Sequence, residues 1–98
     1  MEEIHFIKSG DRSFVAEFQV MKDFNLHIEK NFEGRVSISQ KTAGFQYAVT
    51  KGLIYSDVID MDFQGIVYPK QIRVDVVYTG SAEPSEENEV LGGYTEVQ

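Results

Sequence analysis

The sequence predicts an all-β fold: a small antiparallel sandwich or barrel of about seven to nine short strands, followed by an acidic C-terminal tail. Three observations carry this expectation. Apolar and polar residues alternate with period two in several separate runs, as in strands with one buried and one wet face. Turn-forming residues break these runs about every 8–12 residues. The body has no run of apolar residues at i, i+3, i+4 and i+7 between helix caps.

The elements follow in chain order. A first strand is predicted near residues 3–8. The turn Ser9-Gly10-Asp11-Arg12 leads to a second near 13–21, with Phe14, Ala16, Phe18 and Val20 on one face. After the corner Lys22-Asp23, Phe24-Asn25-Leu26-His27-Ile28-Glu29 alternates without a fault. Asn31-Phe32-Glu33-Gly34 reads as a hairpin-type loop, with Gly where φ can be positive. Val36-Ser37-Ile38-Ser39 alternates again, and Thr42-Ala43-Gly44 ends that strand. Phe45 to Thr50 keeps the larger apolar residues in one register, and a short strand follows near 53–56. Ile59 to Gln64 alternates strictly. Pro69-Lys70 precedes the longest run, Ile72 to Tyr78, and proline suits a strand start or an edge. The expected core faces include Ile4, Phe6, Phe14, Phe18, Phe24, Leu26, Ile28, Val36, Ile38, Phe45, Tyr47, Val49, Ile59, Met61, Phe63, Ile72, Val74 and Val76.

Charge places a boundary near residue 80. The chain has 98 residues and a net charge of −7. All nine bases lie in residues 1–80, where eleven acids leave a near balance. Residues 81–98 hold Glu83, Glu86, Glu87, Glu89 and Glu96 and no base. Their small, polar, turn-forming start reads as a flexible spacer. The expected organisation is a β-domain over 1–80 and an acidic tail over 81–98. Val90, Leu91 and Tyr94 give the tail an apolar patch suited to a partner or a neighbouring copy. Ser85 to Leu91 is the one weak helix candidate, too short to hold unless packed.

Composition excludes several classes. There is no cysteine, hence no disulfide scaffold, cysteine zinc site or thiol nucleophile. The acidic balance argues against nucleic acid as a partner. No apolar run is long enough to span a membrane as a helix. The start, Met1-Glu2-Glu3-Ile4-His5-Phe6, lacks the basic and apolar regions of a secretion signal. The expected location is therefore cytoplasmic, or within a virion-type assembly.

Candidate chemistry is thin. His27 and Glu29 share a strand face, but a metal site needs further ligands; His5 falls on an outer face. Asp60-Met61-Asp62-Phe63-Gln64-Gly65 half-matches a calcium loop. Gln64 stands where Asp or Asn is needed, and Gln71 occupies the position of the bidentate Glu. The same residues read as a strand with Asp60 and Asp62 on its wet face. No nucleophile motif or phosphate-binding glycine loop occurs. No enzyme activity, metal or cofactor is expected. Phe32, Tyr55, Asp57 and Tyr68 remain as loop candidates for binding. Two expectations follow. One is a non-catalytic structural or assembly subunit, of the kind found in phage or mobile-element virions, whose partner is itself in a homo-oligomer or a protein scaffold. The other is a module that binds a small ligand, glycan or peptide.

Overall fold

The computed structural model describes residues 1–42, 44–65 and 67–97. Among these, the chain forms nine strands and no helix. They are β1 (Glu2–Ile4), β2 (Ile7–Gly10), β3 (Ser13–Val20), β4 (Phe24–Lys30), β5 (Gly34–Lys41), β6 (Ala48–Ile54), β7 (Val58–Phe63), β8 (Lys70–Tyr78) and β9 (Val90–Glu96). Among the described residues no helix is long and apolar enough to cross a membrane.

The strands build two antiparallel sheets: a four-stranded sheet in the order β1-β9-β4-β7 and a five-stranded sheet in the order β2-β3-β8-β5-β6. Six of the eight links cross from one sheet to the other; only β2–β3 and β5–β6 are hairpins. With β2 set aside as an added edge strand, this is the strand order of a jelly roll, a sandwich that wraps the chain around one core. The link Asn31-Phe32-Glu33 is therefore a crossing between sheets, where a hairpin was expected. Phe32 directs it: its ring is buried against Phe14 and Tyr78, with centroids 5.7 and 5.6 Å away.

The alternation in the sequence becomes the core. Phe24, Leu26 and Ile28 of β4 meet Val36 and Ile38 of β5 and Ile72, Val74 and Val76 of β8, all buried. Arg73 and Asp75 fall on the outer face, as the register of β8 requires. Fully burying an aliphatic side chain of this size contributes about 1.5–3 kcal/mol, so these central strands dominate stability. Phe18 stacks on Tyr94 (4.6 Å) and Phe24 on Phe63 (4.9 Å), which close the core beside β3 and β7.

Three core expectations are corrected. Phe45 and Val49 are 73% and 68% exposed, and Tyr47 lies on an outer face. Phe45 and Tyr47 precede β6, in the connection from β5. Val49 pairs with Ser39, which on its other side pairs with the outward Arg73 of β8. The apolar register of 45–50 faces away from the core because β6 is an outermost strand whose pairing with β5 is irregular between Val36 and Ile38 and again between Ile38 and Ser39. Such irregularities bend a strand and re-aim its side chains.

The boundary near residue 80 is also overturned. Val90–Glu96 is an interior strand, paired with β4 over seven residues and with β1 on its other side. Val90 and Tyr94 point into the core, and only Leu91 of the expected patch is exposed. The acidic spacer is fastened too. Asn31 donates through Nδ2 to the Glu87 carbonyl (2.7 Å), and its Oδ1 accepts from the Glu89 amide (2.8 Å). Ser85 to Asn88 forms a turn there, in place of the candidate helix.

Candidate functional site

One end of the sandwich gathers the links β4–β5, β6–β7 and β8–β9, and with them Phe32, Tyr55 and Asp57. The organising residue is Lys30, the last of β4. Its side chain is fully buried, and Nζ donates to the carbonyls of Phe32 (3.1 Å) and Tyr55 (3.2 Å) and to Asp57 Oδ1 (2.9 Å). A buried ammonium is tolerated only with such partners. Lys30 thus ties two links together, and Asp57 serves the fold as its counter-ion. Phe32 is buried beneath this knot, so it offers no binding surface. Tyr55 remains exposed, beside a shallow hollow of about 380 Å³ lined with Glu33, Gly34, Asp57 and Thr79. Tyr68 lies at the opposite end and donates its hydroxyl to Asp23. Burial, then that bond, pushes its pKa up to about 12. The four loop candidates therefore do not converge on one site.

The outer face of the four-stranded sheet follows from its registers. Val58, Glu29 and Leu91 form one cross-strand row; Asp60, His27 and Gly93 the next; Asp62, Asn25 and Thr95 the third. His27 lies between two carboxylates, 3.4 Å from Glu29 and 3.6 Å from Asp60. Asn25 donates to Asp60 (2.6 Å) and Asp62 (3.0 Å). The Asn25 bond, followed by His27, holds the Asp60 carboxyl below its usual range. Asp60 and Asp62 thus stand on a strand face. Among the described residues no group of three His, Asp or Glu side chains is placed to hold a metal ion.

The outer face of the five-stranded sheet differs in chemistry. Tyr47 lies across it, its ring under Lys41 Nζ (4.9 Å) and near the Arg73 guanidinium (5.9 Å). Its hydroxyl donates to Glu17 (3.0 Å). Burial, then this bond, pushes its pKa up to about 12. Beyond Tyr47, the β6 margin exposes Phe45, Val49 and Leu53. Leu53 holds a left-handed backbone (φ 58°), unusual for a residue with a branched side chain. Between the free edges of β6 and β7 lies an open hollow of about 430 Å³, lined in part by Gln40, Lys51, Asp62 and Lys70. The Gln40 side-chain oxygen is buried there without a partner among the described residues.

No family model, curated protein or solved structure matches the chain.

Proposed function

We propose that this chain is a non-catalytic structural subunit that works through protein–protein contacts, with copies of itself or with a protein scaffold, as in a virion-type assembly. The observation that carries the reading is the β6 margin. Every residue of β6 before Ile54 is exposed, yet the strand and its approach keep Phe45, Val49 and Leu53. These side chains add little to the core, and clustered exposed apolar residues mark contact surfaces. The jelly-roll order recurs in capsid subunits and lectins alike, so fold alone favours neither. The competing reading, a ligand-, glycan- or peptide-binding module, loses Phe32 to the core and shares Asp57 with Lys30.

Light scattering coupled to size-exclusion chromatography tests the reading on the full chain and on a Phe45→Ser/Val49→Ser variant. The wild type is expected to form oligomers at high micromolar concentration. The variant is expected to be smaller while keeping its circular dichroism spectrum. A wild-type chain that stays monomeric contradicts self-assembly, and an oligomer unchanged in the variant removes the β6 margin from the contact.

A further inference from the structure

We propose that copies of this chain stack face to back: the outer face of the four-stranded sheet of one copy docks on the outer face of the five-stranded sheet of the next. The inference rests on the assembly reading and names its partner, a second copy, and its geometry.

The argument is charge complementarity within one molecule. The outer face of the four-stranded sheet presents Glu3, Glu29, Asp60 and Asp62 around His27, and the single Lys or Arg of its strands is the buried Lys30. The outer face of the five-stranded sheet presents Arg35, Lys41 and Arg73 against Glu17 and Asp75, while Lys8, Lys51 and Lys70 pair with the inward Phe14, Ile38 and Val20. Both of those acids have partners in their own sheet region: Asp75 pairs with Arg73 at 3.1 Å, and Glu17 accepts from Tyr47. Among the described residues, no carboxylate lies within salt-bridge distance of Arg35 or Lys41. The outer face of the four-stranded sheet is therefore acidic, and the unpaired Arg35 and Lys41 leave that of the five-stranded sheet weakly basic. Opposed potentials of this kind steer and orient association.

Each face also carries apolar contact area. Val58 and Leu91 flank Glu29 on the acidic face, both exposed. Val49 and the Tyr47 ring lie beside the bases of the other. The molecule measures 40 × 27 × 20 Å. A face bounded by the two longer dimensions can supply the roughly 800 Å² per partner of a standard interface. A two-fold contact of acidic face on acidic face would set Glu29, Asp60 and Asp62 against their own copies. Complementarity requires unlike faces, and such a heterologous contact propagates into a ring or a filament.

Sedimentation velocity on the full chain tests this at about 0.05 M salt and at about 1 M, where the Debye length falls to about 3 Å. Three variants accompany the wild type: Glu29→Lys/Asp62→Lys on the acidic face, Arg35→Glu/Lys41→Glu on the basic face, and all four changes together. Circular dichroism confirms that each is folded. The wild type is expected to form species larger than a dimer at low salt that dissociate at high salt. Each double variant is expected to associate more than about tenfold more weakly, and the four-fold variant to regain assembly because both faces have exchanged sign. A salt-insensitive oligomer kept by both double variants overturns the stacking and leaves the assembly reading standing. A dimer that survives reversal of the basic face, or a four-fold variant that stays dissociated, also overturns it. A wild type that is monomeric in both salts overturns both readings.

Discussion

β6 and β9 are both seven-residue strands, and they exchange the roles their sequences suggest. Ala48–Ile54 has the apolar content of a core strand, yet it is an outermost strand exposed along nearly its whole length. Val90–Glu96 follows an acidic spacer and contains two adjacent glycines, yet it sits between β1 and β4. Place in the sheet, rather than apolar content, decides burial here. β9 needs its glycines for close approach. A Cβ on Gly92 would stand 3.0 Å from the His27 carbonyl oxygen and 3.3 Å from the Phe6 ring; one on Gly93 would stand 2.8 Å from the Glu2 carbonyl oxygen. β6 carries apolar side chains that the core does not take up, which leaves them for contact with another molecule.

The contrast can be broken most forcefully by ending the chain after Glu89. Removing β9 deprives β1 of the strand it pairs with and uncovers one side of β4. The truncated chain is expected to lose cooperative thermal unfolding; a sharp transition near the wild-type temperature would return residues 90–98 to the status of a tail. Next in size is Gly92→Val, which crowds the contact with β4 and Phe6. Overpacking of this kind costs about 1–3 kcal/mol, measurable by chemical denaturation, and an unchanged midpoint would contradict the close packing of β9.

Alkaline titration probes the other region, because Tyr47 lies on the approach to β6. An unfolded tyrosine releases its proton near pH 10, whereas folded Tyr47 keeps it to about 12. The stabilisation from this shift is complete below pH 10 and is lost as pH rises through about 12. Thermal unfolding from pH 9 upward is expected to fall less steeply for Tyr47→Phe than for the wild type, with the remaining slope shared by Tyr68. Parallel curves would detach Tyr47 from the sheet face. The smallest effect belongs to Val49→Ser. A substitution on this exposed face should change stability by less than about 0.5 kcal/mol, and a larger loss would mean that β6 contributes to the core after all.

The strands and much of the core were legible because alternation in β4, β7 and β8 is an intrinsic property of each segment. What failed depended on partners distant in sequence. Lys30 follows Glu29 at a strand end and reads as a solvated base, because its acceptors at Tyr55 and Asp57 lie 25 and 27 residues away. Residues 81–89 have the composition of a linker, and Asn31, through its side chain and its backbone amide, fastens them. Tyr47 and Val49 keep a period-two register, but periodicity cannot say which face is wet when the strand is an edge. The opposed charge of the two sheets was equally hidden. Along the body of the chain acids and bases are interleaved, and strand order together with register places Glu3, Glu29, Asp60 and Asp62 on one outer face and Arg35 and Lys41 on the other.

Hydrogen exchange of the full chain, read by mass spectrometry at low and high salt, compares β6 and β9 most directly. Amides of Leu91 to Thr95 are expected among the slowest to exchange in both salts, as for an interior strand that opens only with the whole fold. Amides of β6 are expected to exchange fast at high salt and to slow at low salt, where neighbouring copies cover the margin. Rapid exchange across 90–96, or β6 amides equally slow in both salts and in dilute protein, would contradict the assignment of β9 to the core and of β6 to assembly.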